Sequence, residues 1–255
     1  MKVLVLGCGT STGVPRIGND WGQCDPEEPR NHRSRVSVVV ESSDGSRLLV
    51  DTSPDLRNQF LANGIDRIDA VFWTHDHADH CHGIDDLRVL RYGRAGPIPA
   101  YADEQTVRRM RQRFGYVFAN QDGYPNILSL ETLGQVRMCA GIGVRYCSMP
   151  HGAMDSTAFR FDADGKSIGY AVDFNAITRS MIDLLTGVDV LVVDCLRREP
   201  HPTHSHLAMS LELIEAVRAK TGVLTHLDKS LDYRALSSEV PPHVLVGYDG
   251  LEIVA

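Results

Sequence analysis

The sequence predicts an α/β fold in one domain, and three observations carry that expectation. Short apolar runs rich in Val, Ile and Leu alternate with stretches of helical pattern, and several of those runs end on a histidine or an aspartate. No linker interrupts the pattern, so a single domain over residues 1–255 is expected. A chain of 255 residues can bury a core without disulfide staples.

In chain order, Val3 to Leu6 reads as a first strand that ends in Gly7-Cys8-Gly9-Thr10-Ser11-Thr12-Gly13-Val14-Pro15. Free N–H groups among such small residues could hold an anion, and a plain glycine-rich turn fits equally well. Residues 16–35 read as a long loop carrying Trp21, Cys24, Arg30, His32, Arg33 and Arg35. Val36 to Glu41 and Arg47 to Asp51 read as a hairpin about Ser42 to Ser46. A helix from Pro54 to Asn63 is stopped by Gly64, and a strand from Asp69 to Thr74 follows. Ile84 to Arg91 reads as a short helix, Ile98 to Tyr101 as a strand and Glu104 to Phe114 as a basic helix. Arg108, Arg109, Arg111 and Arg113 do not share one face of that helix and read as surface, as does the Arg88, Arg91, Arg94 series.

Residues 115–143 are weakly patterned, with strands expected at Asn126 to Leu130 and Gln135 to Met138. Val144 to Pro150 is a clearer strand and leads to His151. Thr157 to Phe161 and Ser167 to Val172 pair about Asp162-Ala163-Asp164-Gly165, and Asp173 follows. Asn175 is the expected cap of a helix from Ala176 to Leu185, which Gly187 stops. Val188 to Asp194 is apolar but for Asp189 and its last residue, and reads as a central strand. A loop with His201, His204 and His206 precedes a helix with Ser210 as expected cap and Leu211, Ile214 and Val217 inward. Gly222 to Thr225 then presents His226, and Val244 to Val246 with Leu251 to Val254 reads as a closing hairpin about Gly247 to Gly250.

Composition narrows the function. A net charge of −7 argues against a surface built for nucleic acid or an anionic membrane, though a local basic patch is compatible with it. The six cysteines, Cys8, Cys24, Cys81, Cys139, Cys147 and Cys195, lack paired spacing and suit reduced thiols. Met1 to Leu6 is too short for a signal-peptide core, and no apolar run approaches the length of a membrane span. A cytoplasmic protein is expected.

The chemistry concentrates in His75-Asp76-His77-Ala78-Asp79-His80. Three imidazoles and two carboxylates in six residues would repel one another in an ordinary core, whereas divalent metals of borderline softness select those ligands. At a strand end, alternation sends His75, His77 and Asp79 to one side, and a following turn can bring His80 beside Asp79. Two neighbouring metals result. Asp51 ends a strand too, and could either orient a ligand histidine or cap the next helix. Asp51, His75, His151, Asp173 and His226 all stand at strand ends, the signature of one site along one sheet edge. His75, His77 and His151 would hold one metal and Asp79, His80 and His226 the other. Asp173 would bridge ions about 3.5–4 Å apart.

These residues resemble the metallo-β-lactamase superfamily, whose HxHxDH motif is matched by His75, His77, Asp79 and His80 and whose later ligands are matched by His151, Asp173 and His226. Gly7 to Thr10, Asp51-Thr52-Ser53 and Gly247 to Gly250 extend the likeness over nearly the whole chain. Within the superfamily the chain is most similar to the PhnP-type phosphoribosyl cyclic phosphodiesterases, relatives of tRNase Z. The resemblance implies a four-layer αβ/βα sandwich, two divalent ions (manganese or zinc) and hydrolysis of a cyclic or small phosphodiester by a metal-activated water. His204, in Thr203-His204-Ser205-His206-Leu207, matches the family's catalytic histidine; His206 would orient it or substitute for it, and Asp79 joins them in the catalytic set. PhnP-type enzymes can carry a structural zinc, but here Cys24 stands alone and Lys229 occupies the region of the expected histidine, so none is expected. The implied partner is a small phosphodiester, with a homodimer as the assembly considered. A tRNA 3′-processing endonuclease is the nearest alternative, and it would need a flexible basic arm that this acidic chain does not show. A non-catalytic nucleotide- or metal-binding protein is the alternative of another class.

Overall fold

The computed structural model describes residues 1–120, 123–135 and 138–255. The N-terminal half supplies β1 (Lys2–Gly7), β2 (Ser37–Glu41), β3 (Arg47–Val50), α1 (Leu56–Asn63), β4 (Ala70–Phe72), α2 (Ala78–Cys81), α3 (Arg88–Arg91), β5 (Ile98–Ala102), α4 (Glu104–Arg113), α5 (Gly115–Phe118) and β6 (Leu128–Thr132). The C-terminal half supplies β7 (Met138–Cys139), β8 (Ile142–His151), β9 (Met154–Ala163), β10 (Lys166–Ala171), α6 (Arg179–Leu185), β11 (Val190–Asp194), α7 (Leu207–Val217), β12 (Thr221–Thr225), α8 (Tyr233–Glu239), β13 (Val244–Val246) and β14 (Leu251–Val254). The expected strand from Gln135 to Met138 falls across residues outside the described ones.

The strands form two sheets, in the orders β14-β1-β2-β3-β4-β5-β6 and β13-β12-β11-β10-β9-β8-β7. Strict alternation explains how they stack. In β2, Val38 and Val40 face the layer between the sheets while Val39 faces the helices outside. In β11, Val190 and Val192 face inward while Leu191 and Val193 meet the helices on the far side. The strands are therefore buried on both faces, which is why they read as continuous apolar runs. Phe72 fills the middle, stacked on Tyr101 at 5.2 Å and edge-on to Phe159 at 5.7 Å. The result is helices, sheet, sheet, helices, as the resemblance implied. No helix among the described residues is long and apolar enough to cross a membrane.

Parallel pairing places the site. β3 runs parallel to β4, and β10, β11 and β12 run parallel to one another. The carboxyl ends of neighbouring parallel strands open on one edge, where an α/β sheet binds its ligands.

Several local expectations are corrected. Asn175 caps nothing: its Nδ2 donates to Pro202 O, and Thr178 accepts from Met181 N to start α6. Ser210 lies inside α7, where its hydroxyl reaches Asp194 O and His206 O, and Leu213 takes the buried place given to Leu211. β13 and β14 form no hairpin, because β13 pairs with β12 in one sheet and β14 with β1 in the other. The turn between them crosses from sheet to sheet. It carries Asp249, whose carboxylate accepts from Cys8 N at 3.0 Å and Ser34 N at 2.8 Å. In the glycine-rich loop Gly9 N and Thr10 N are spent on Ser34 O and Leu227 O, which ties that part of the loop to the fold. Two basic residues of the long loop turn back onto the fold, while Arg30 and His32 stay exposed. Arg33 is buried and donates to Asp228 O and Leu231 O, and Arg35 pairs with Asp55.

Candidate metal centre

Three strand ends build the site with one device. Asp51, Asp173 and His226 follow β3, β10 and β12 with φ of 64°, 65° and 60°. The left-handed region is unfavourable for residues with a side chain, by about 1–3 kcal/mol, and non-glycine residues kept there cluster at functional sites. Each kink ends its strand and turns the side chain onto the shared edge. β4 ends at Phe72, three residues before His75, and α2 then carries Asp79 and His80 with His77 as its N-cap. Asp79 and His80 thus come from a helical turn, whereas simple strand alternation was expected to place Asp79. That turn is clamped to the end of β3 by Thr52 N donating to His80 O at 2.7 Å and Gly83 N donating to Thr52 O at 2.9 Å. Only glycine fits at position 83, where a Cβ would stand 1.9 Å from Ser53 O.

The first cluster is His75, His77, His151 and Asp173. His75 Nε2 lies 2.8 Å from His77 Nδ1 and 3.4 Å from Asp173 Oδ2, and His151 Nε2 lies 3.4 Å from the same oxygen. The outer nitrogens are occupied. His151 Nδ1 donates to Thr203 O at 2.7 Å, and His75 Nδ1 meets Thr74 Oγ1 at 3.0 Å. Those bonds set the tautomers so that the Nε2 lone pairs face the centre.

The second cluster is Asp79, His80 and His226, overlapped by a third group of Asp173, Asp194, His204 and His226; Asp173 lies beside both His80 and His226. His80 Nε2 is 3.4 Å from Asp79 Oδ2 and 3.3 Å from Asp173 Oδ2, and His226 Nε2 is 3.5 Å from Asp79 Oδ2. Behind it, Asp51 Oδ2 accepts from His80 Nδ1 at 2.8 Å while Asp51 Oδ1 accepts from Thr74 N at 2.8 Å. Of the two roles left open for Asp51, its carboxylate takes the place beside a site histidine and caps no helix.

Beside both clusters stands His204, with Nδ1 3.3 Å from Asp173 Oδ1 and 3.5 Å from Asp194 Oδ2. Asp194, the last residue of β11, also lies 3.3 Å from His226 Nδ1 and accepts from Ser205 N at 3.0 Å. It is a site residue that the sequence reading passed over, although its place at a strand end was the same signal that marked Asp51 and Asp173. His206 is not brought in. It is the N-cap of α7, and the His204 ring instead neighbours His151, His201 and His226, with centroids 4.9, 5.0 and 5.0 Å away.

The donor set fits divalent cations. His80 Nε2, Asp173 Oδ1, Asp194 Oδ1, His204 Nδ1 and His226 Nδ1 are buried yet make no hydrogen bond. An unsatisfied buried polar group costs about 1–3 kcal/mol; cations among these residues would satisfy the carboxylate oxygens and the His80 and His226 nitrogens, while His204 Nδ1 faces the Asp173 and Asp194 carboxylates. Charge agrees. Burial penalises the His226 imidazolium, but Asp173 and Asp194 outweigh it and raise the pKa to about 10. Burial likewise works against His204, and its contacts with Asp173 and Asp194 lift it to about 9. Burial works against charge on His80 too, and Asp79 and Asp51 hold its pKa well above the usual value. Burial and the His80 charge push His75 well below it, so His75 keeps its lone pair free. Without a cation these carboxylates draw protons onto His80, His204 and His226; a cation supplies the same positive charge.

A pH dependence follows, with its sign. Ligand histidines must lose their protons to bind metal. Metal loading at pH 7 is therefore expected to release protons, and apparent affinity is expected to rise with pH toward the His226 value of about 10. Calorimetric titration of the metal-free chain in buffers of different ionisation enthalpy measures that release; proton uptake, or none, would contradict the assignment of His226.

A cleft of about 580 Å³ opens over the clusters, lined by His77, Asp79, His151, Asp173 and His204 and on its outer side by Ser11, Arg109 and Met154. The placing of Arg109 corrects the reading of α4 as plain surface. Arg109 and Arg113 both reach the buried Asp76, which follows His75.

Comparison with known proteins bears on the same residues. The Beta-lactamase superfamily domain matches residues 46–227. The crystal structure of a new diphosphatase from the PhnP family superposes with a TM-score of 0.89 and 35% identity, covering 100% of this chain and 97% of that one. Zn(2+)-bound PqqB from Methylobacterium extorquens superposes with a TM-score of 0.79 at 20% identity over 100% of both chains, a likeness of fold. A protein of Porphyromonas gingivalis named octanoyltransferase is 33% identical over 261 residues, which are 100% of this chain and 51% of that protein. The chain thus spans about half the length of that relative. It belongs to the β-lactamase superfamily and, within it, to the PhnP family.

Proposed function

We propose that this member of the PhnP family is a phosphodiesterase, dependent on two divalent metal ions, that hydrolyses a cyclic or other small phosphodiester. The observation that carries the reading is the pair of clusters sharing the Asp173 carboxylate, with the protonated His204 at their side. His75, His77 and His151 would hold one ion, Asp79, His80 and His226 the other, and Asp173 both. Manganese and zinc both suit this set of imidazoles and carboxylates. Such ions supply Lewis acidity toward phosphoryl oxygens and lower the pKa of water to about 7.

The chain's own residues account for the rest. His204, protonated at neutral pH, is aligned by Asp173 and Asp194 and lines the cleft, so it can pass a proton to the departing alkoxide. Cations beside it lower its pKa from about 9 toward neutrality, which suits a donor that must recover its proton each cycle. Asp194 keeps the ring in place through Nδ1, as a positioning residue. Thr203 O, held against His151, ties the loop that carries His204 to the first cluster.

A screen of cyclic and linear phosphodiesters on protein loaded with manganese or zinc tests this reading. Turnover of at least one phosphodiester that stops on chelation is expected. Fully loaded protein that cleaves none of them, but cleaves a thioester or a lactam, would overturn it.

A further inference from the structure

No helix or strand lies between Asp194 at the end of β11 and Leu207 at the start of α7, so the place of His204 depends on what grips this loop on either side of it. After His204, Ser205 N donates to Asp194 Oδ2 at 3.0 Å and Leu196 N to Ser205 O at 3.0 Å. Before it, two consecutive carbonyls are held from outside the loop. Thr203 O accepts from His151 Nδ1 and Pro202 O from Asn175 Nδ2, both at 2.7 Å. Asn175 stands two residues after Asp173, and its backbone N donates to Pro150 O at 2.9 Å. It thereby joins the ends of β8 and β10 to the loop that carries His204.

The two bonds of Asn175 come from different parts of the residue. The bond to Pro150 uses the backbone amide and persists under any substitution that keeps an N–H. The side chain's only hydrogen bond among the described residues is the one to Pro202 O, since its Oδ1 is buried without a partner. Helix α6 does not use the side chain either, because Thr178 is its cap. We infer that Asn175 is a positioning residue for proton transfer by His204: by holding Pro202 O it fixes where the imidazole stands against the departing oxygen. The inference rests on the phosphodiesterase reading above. His204 Nδ1 faces Asp173 and Asp194, so Nε2 is the nitrogen that gives up its proton. The alkoxide leaves as an alcohol and the ring is left neutral; water supplies the hydroxyl that replaces the alkoxide on phosphorus and, over the cycle, the proton that recharges the ring. Asn175 does not line the cleft and belongs to neither ligand set. Misplacing a reacting group by about 1 Å can cost about a hundredfold in rate, so a single bond on this loop bears on turnover.

Asn175→Ala removes the bond, and Asn175→Leu removes it while filling the space, so the pair separates the bond from packing. Both are compared with wild type, His204→Ala and the double variant Asn175→Ala/His204→Ala, all metal-loaded. The substrates are 2′,3′-cyclic AMP and 3′,5′-cyclic AMP, which expel an alkoxide, and bis(p-nitrophenyl) phosphate, which expels a phenolate that needs no proton. On an alkyl diester that wild type cleaves, kcat should fall about threefold to tenfold in both single variants with KM unchanged, the scale of one hydrogen bond. The aryl ester should lose far less, and metal per chain should match wild type. Adding Asn175→Ala to His204→Ala should cost nothing more, because the first residue acts through the second. Equal losses on alkyl and aryl esters, a loss carried by KM, metal lost with the activity, an undiminished effect in the His204→Ala background, or no loss at all would overturn the inference. So would a wild type that cleaves aryl diesters alone, because no alkoxide is then protonated. If wild type cleaves no phosphodiester, the phosphodiesterase reading itself falls.

Discussion

Asp173→Ala is expected to lower phosphodiester turnover by at least about a thousandfold and to reduce bound metal to less than one ion per chain. The carboxylate lies within 3.4 Å of His75, His80, His151, His204 and His226, and among the described residues no other acidic group reaches both clusters. Several kcal/mol of transition-state stabilisation are lost with the ions. The metal-free variant should also be less stable at neutral pH. Burial opposes ionisation of Asp173, but His226 and His80 outweigh it and hold the carboxyl well below its usual range. A group with a depressed folded-state pKa stabilises above its unfolded value near 4 and loses that contribution as the pH falls through the folded one. At pH 7 the whole contribution is present, so the substitution removes all of it. Metal analysis, turnover and thermal melting of Asp173→Ala beside Asp51→Ala separate the effects. Of the clustered histidines among the described residues Asp51 bonds His80 alone, and its loss should cost about 10–100-fold. Equal losses in the two variants would contradict the shared role of Asp173.

His204→Ala is expected to keep both ions and the melting temperature while slowing hydrolysis of an alkyl diester by about a hundredfold or more. His204 is outside the two ligand sets, and its ring meets only carboxylates and other histidines at the cleft wall. The loss should depend on the leaving group. An aryl diester such as bis(p-nitrophenyl) phosphate expels a stable phenolate that needs no proton, so its hydrolysis should fall far less. Steady-state rates on both substrates at one pH make the comparison. Equal losses would point to a role in binding, and no loss would remove His204 from the chemistry.

Legibility in the sequence followed the range of the interactions. His75, His77, Asp79 and His80 stand within six residues, and their crowding is visible without a fold. Asp51, Asp173 and His226 were legible because each follows an apolar run, and parallel strands bring such ends to one edge, where His151 at the end of the antiparallel β8 joins them. Asp194 ends a run too, but only its distances to His204 and His226 reveal its part. His206 showed the converse: it is near His204 in sequence but serves as the N-cap from which α7 starts, while His204 lies against Asp173 and Asp194. Arg109 could not be found by helical spacing, since what sets it apart is Asp76, 33 residues earlier in the chain. The closing turn read as a hairpin because local pattern identifies strands but not the sheet each joins. Asp249, bonded to Cys8 and Ser34, carries the chain across instead.

Metal stoichiometry tests the central claim most directly. The chain is stripped of metal, reconstituted separately with manganese and with zinc, freed of excess and analysed for metal per chain, with turnover of a phosphodiester followed on the same samples. Two ions per chain, and activity that appears with the second, are predicted from the clusters that share Asp173. Saturation at one ion with full activity, for both metals, would contradict the account.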